Sequence, residues 1–148
     1  MSLIITLIIA LYYNFPKIKN YTIKYIVFFS QKYDYRLTVL EVNGLKILKL
    51  NEIEELINTY NNQSIFLLPL DKISKSLKDI PWIKSVNIST NFKNTLYVNI
   101  NEFKPIGIYF FNNNYYFFAK NGKIIELVSN NHILTNEFIT FYGKSSNL

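Results

Sequence analysis

Thirteen consecutive residues near the start, Leu3–Phe15 (LIITLIIALYYNF), carry no charge, and the lysines come only afterwards, at Lys17, Lys19 and Lys24. That run decides what the rest of the chain can be. As a helix it spans about 20 Å, short of the roughly 30 Å hydrocarbon layer. Extending it to Ile18 with snorkelling lysines narrows the gap. A cleaved signal peptide would begin with bases and end in small residues, and both are missing. A buried helix of a globular domain would normally carry a polar stripe, and none is visible. The expectation is a single membrane anchor over residues 3–18, with Tyr12 and Tyr13 at one interface. Tyr21–Phe29 (YTIKYIVFF) is a second apolar stretch, interrupted by Lys24 and suited to lying along the interface or against the anchor. The bases that follow the run would keep the remainder in the cytoplasm by the positive-inside rule.

Charge is informative only once it is divided along the chain. The 148 residues carry 16 bases and 10 acids, a net +6. Residues 1–36 hold five bases and one acid, residues 37–104 eight and seven, and residues 105–148 three and two. The excess sits beside the apolar run. A nucleic-acid footprint needs clustered bases on the folded part to displace phosphate counterions, so no nucleic-acid partner is expected. Lipid headgroups suit these lysines better.

Beyond Tyr35 the pattern becomes that of a folded domain. Leu37–Val42 is β-branched with partial alternation, and Asn43-Gly44 is a turn signal. Asn51 is placed to cap a helix with Glu54 three residues on. Ile53, Leu56, Ile57 and Tyr60 give its apolar face. After the break at Asn61-Asn62-Gln63 and a short apolar run, Asp71 can cap a second helix faced by Ile73, Leu77 and Ile80. Pro81 ends it. Ile83, Val86 and Ile88 lead into a strand, Asn91–Asn94 turns, and Leu96, Val98 and Ile100 alternate with Tyr97, Asn99 and Asn101. The order over residues 35–104 is therefore strand, helix, helix, strand, strand, an α+β arrangement with two helices on a three-stranded sheet. Ile106–Phe111, Tyr115–Phe118 and Lys123–Val128, with a turn at Asn121-Gly122, read as a β meander.

Catalytic chemistry is hard to find. Nucleophilic catalysis by serine or threonine needs a base, and the single histidine, His132, sits in a polar loop. Cysteine is absent, which removes thiolate ligands and nucleophiles. No phosphate-cradling glycine loop occurs, and Glu52, Glu54 and Glu55 crowd a helix start with no histidine near. Glu41 and Glu102 could pair if their strands were adjacent. We expect no enzyme, metal or cofactor.

Four stretches resemble the bacterial division family FtsQ/DivIB. They are Val39–Gly44 with Glu52-Ile53, Leu77–Val86 (LKDIPWIKSV), Phe92–Pro105 (FKNTLYVNINEFKP), and Asn121-Gly122 with the weaker Leu134–Gly143. The motif residues are Gly44, Pro81, Trp82, Glu102, Pro105, Gly122 and Gly143, read mainly as structural. Trp82 is expected to seal the helix–sheet core and Gly44 to supply a positive φ. Pro105 is expected to limit pairing at the handover between subdomains. Lys84, beside Trp82, is the candidate partner contact.

The resemblance implies an anchor and juxtamembrane segment over residues 1–34, a POTRA domain over 35–104, and a shortened antiparallel β domain over 105–148. It implies a non-enzymatic septal scaffold, single-pass in the inner membrane, with the folded part in the periplasm. The FtsB–FtsL pair would be the partner, through strand addition on a surface that is expected to be incomplete here. A basic cytoplasmic tail is missing from the pattern, as though the true start lay upstream, and Phe103 stands where the family often has arginine. The competing reading is a POTRA module of outer-membrane protein assembly or secretion.

Overall fold

In the computed structural model the structure describes residues 2–128 and 138–142. The first element is one helix, α1 (Ser2–Lys32), 31 residues long with Pro16 inside it. The two apolar stretches therefore lie on one continuous helix that runs through Pro16, instead of forming an anchor with a second segment folded against it. Among the described residues, no helix is long and apolar enough to cross a membrane.

The rod ends on the folded part. Ser30, 1% exposed, shares a hydrogen bond of 2.6 Å with Ser64. Phe29 stacks on Tyr35 at 5.8 Å between ring centroids, and Tyr35 meets Phe66 at 5.5 Å. Two hydroxyls that satisfy each other can be buried at little cost, whereas either alone would be an orphan.

From there the order is β1 (Val39–Asn43), α2 (Leu50–Asn58), a short 3₁₀ turn at Ile65–Leu67, α3 (Leu70–Lys78), β2 (Ile83–Thr90) and β3 (Thr95–Glu102). β3 is central in the sheet, parallel to β1 and antiparallel to β2. The alternation in β3 decides which face is covered: Leu96, Val98 and Ile100 are buried, and Asn99 and Asn101 are exposed on the other side. Ile53 and Ile57 of α2 and Ile73 and Leu77 of α3 complete this core.

Both helices begin earlier than their side chains suggested. Lys49, not Asn51, is the residue before α2, and its N–H donates to Glu52 Oε1 at 3.4 Å. The preceding loop is tied to Glu102, so the chain is already aimed into the helix before Asn51 is reached. Pro69 precedes α3, and Asp71 lies inside its first turn, where an acid favours the helix dipole. Tyr60 and Ile80 lie past the helix ends and only line the core.

A second sheet follows after two residues: β4 (Pro105–Phe111), β5 (Asn114–Ala119), β6 (Ile124–Leu127) and β7 (Thr140–Tyr142), in the order β6-β5-β4-β7. The meander is as read. The short β7, parallel to β4, had no signal in the sequence pattern. Gly107 permits it: a Cβ there would lie 2.8 Å from Phe141 Cε2 and 3.0 Å from the Ile139 carbonyl oxygen.

Candidate functional site

The two sheets meet on Trp82. Pro81 and the end of α3 swing this residue to the first position before β2, and its ring is 4% exposed. It faces Phe117 of β5 at 5.7 Å, and its indole N–H donates to the Glu126 carboxylate of β6. The ring belongs to the same buried cluster as Ile73, Leu77 and Leu96, and it also closes the seam between the two sheets, a contact the sequence did not announce. A buried indole N–H needs an acceptor, and that need was the available signal for Glu126.

Phe103 completes the seam. It is buried in the two-residue link, its N–H donates to the Trp82 carbonyl at 2.8 Å, and Lys123 lies 4.5 Å above its ring. An arginine at this position would have to bring its charge into the same apolar seam.

Glu102 does a different job. Its carboxylate accepts the N–H groups of Lys46 (3.0 Å), Ile47 (2.8 Å) and Leu48 (3.1 Å), holding the loop between β1 and α2. Charge-assisted bonds of this kind are among the stronger ones available to a carboxylate. Glu41 is not its partner, since it pairs across to Tyr97, well down the sheet. Gly44 starts the same loop with φ +89°, and a Cβ there would lie 1.9 Å from the Ile100 carbonyl oxygen. Gly122 also has positive φ, +80°, but faces open space. Pro105 opens β4, buried opposite Ala119, with a bulge before Gly107. Lys84 is exposed on β2. Gly143 and His132 lie outside the described residues.

The motif residues therefore gather as two structural knots. Glu102 and Gly44 fix the β1–α2 loop, while Trp82, Phe103 and Pro105 fix the sheet junction. Among the described residues no three His, Cys, Asp or Glu side chains are grouped as metal ligands. At the far edge of the second sheet, Phe110 stands between Tyr115 and Tyr142, at 4.8 and 5.5 Å. Tyr142 beside Tyr115 holds the latter's phenol above its ordinary range, with desolvation and their hydrogen bond adding to the effect.

A βααββ unit with sheet order β1-β3-β2 and a second sheet locked to it is the architecture of a POTRA protein with a following β domain. Residues 36–103 match the family model of the POTRA domain, FtsQ-type. The cell division protein FtsQ of Rickettsia typhi is 33% identical over 102 residues, which cover 69% of this chain and 38% of that protein. FtsQ of Rickettsia prowazekii is 32% identical over 93 residues, 63% and 35% of the two chains. The cell division protein DivIB of Clostridium acetobutylicum is 28% identical over 96 residues, 65% and 39%. The chain belongs to the FtsQ/DivIB family. It spans about two fifths of the length of the curated relatives it matches.

Proposed function

We propose that this chain is a membrane-anchored, non-enzymatic scaffold of the bacterial division septum, joining early and late division components by protein–protein contacts. The observation that carries the reading is the FtsQ-type POTRA match over residues 36–103, with relatives at 28% and 33% identity named as cell division proteins. The same match argues against a module of outer-membrane assembly or secretion. In this reading residues 1–34 attach the protein to the inner membrane, with lipid contact through residues 3–18, residues 35–104 are the POTRA unit, and residues 105–148 belong to a β domain. The charge-free run Leu3–Phe15, followed by Lys17 and Lys19 on one continuous helix, supports the attachment. The folded part lies in the periplasm and meets the FtsB–FtsL pair, with Lys84 an exposed candidate contact.

The test is a C-terminal reporter pair in dividing cells. A reporter active only after export should score, and a fluorescent fusion should collect at midcell. Activity solely from a cytoplasmic reporter, or an even distribution around the cell, overturns the reading.

A further inference from the structure

The first sheet has an open edge beside a groove. Outside β1, the segment 62–65 pairs with the chain just before the strand. Leu37 N–H donates to Gln63 O at 2.9 Å, Asn62 N–H to Leu37 O at 2.9 Å, and Ile65 N–H to Tyr35 O at 3.0 Å. That pairing stops at Leu37, where Asn62 (φ +61°) turns the chain away. Beyond it β1 has β3 on one side and, among the described residues, no strand on the other. Val39 N–H donates to Asn94 O, on the side of β3, so the strand's alternation turns the amides of Leu40 and Val42 outward.

Over this edge lies a cavity of about 550 Å³, walled by Thr38, Val39 and Leu40 on one side and Asn51, Glu54 and Asn58 of α2 on the other. It exists because α3 packs across β2 while α2 leans on α3, leaving β1 uncovered. Five strand residues offer about 17 Å of edge. Both sides of that edge are acidic: exposed Glu41 on the open face, exposed Glu54 and Glu55 on the helix face. With Glu52 these are four of the ten acids in a chain of net charge +6.

We propose that this groove takes an extended peptide with basic side chains, added as a strand to β1 where the pairing from 62–65 leaves off. Main-chain bonds supply affinity and the carboxylates select lysine or arginine. The proposal does not rest on the septal reading, since edge, groove and charge are properties of residues 37–61 alone.

The probe is a capped octapeptide of alternating lysine and valine, added to the full chain in detergent micelles. Hydrogen exchange at Leu40 and Val42 should slow, and the double variant E54K/E55K should bind at least tenfold more weakly. Methylating alternate backbone nitrogens of the peptide should abolish the protection. Unchanged exchange over Val39–Asn43 overturns the proposal. So does binding indifferent to N-methylation, which would be charge attraction alone. Protection that appears without peptide and grows with chain concentration also overturns it, because the occupant would then be a second copy. Unchanged exchange in α3 of the double variant establishes that it is folded.

Discussion

The two sheets answer the same problem in opposite ways. The first covers one face with α2 and α3, and its central strand buries Leu96 and Val98 completely. Among the described residues the second has no helix of its own. Its centre, Phe117, is fully buried between Trp82, which reaches across from the first sheet, and Phe138, while Ile124, Leu127, Phe141 and Tyr142 at its margins stay exposed. A sheet with helices attached owns its core; a meander without them borrows one.

This contrast can be broken most severely at the seam. Trp82→Ala should cost about 4 kcal/mol, the range for deleting a buried ring, and should separate one thermal unfolding transition into two. Retention of a single transition would mean that the second sheet is stable without the indole. Next, Gly44→Ala should lose about 3 kcal/mol, since it forces positive φ on an alanine and drives Cβ into the Ile100 carbonyl. Gly122→Ala, with the same sign of φ and nothing nearby, should lose only about 1 kcal/mol. Equal losses in denaturant titrations of the two variants would refute the steric account.

Glu102→Gln removes the negative charge and one acceptor from the three loop amides. It should cost about 2 kcal/mol and speed hydrogen exchange at Ile47 before that of the second sheet. The smallest effect is alkaline. The folded Tyr115 phenol titrates above its unfolded value, so its contribution is complete below about pH 10 and is lost as pH rises through the folded value. Tyr115→Phe should flatten the alkaline decline of the melting temperature. An unchanged slope would locate that decline elsewhere.

The sequence carried the first sheet well because its elements are local. The alternation through Ile100 and the i, i+4 pair Ile53–Ile57 each declare a period within a few residues. The start of α2 was displaced by two residues because Glu102, about fifty positions away, sets the course of the loop before it. No side-chain pattern near Asn51 contains that information. Trp82 was recognised as a key residue, yet its partners Phe117 and Glu126 were not, since pairing between sheets has no sequence period. β7 was missed for a related reason: three residues held parallel to β4 beside a glycine leave almost no pattern.

The unbroken run of α1 into the buried Ser30–Ser64 contact has a mechanical consequence. A loose linker would leave the direction of the helix relative to the folded head unset. Seated by two hydroxyls and a stack of rings, the last turns of α1 fix the line along which the helix leaves the head. A twist applied to those turns is delivered to the folded part instead of being absorbed on the way.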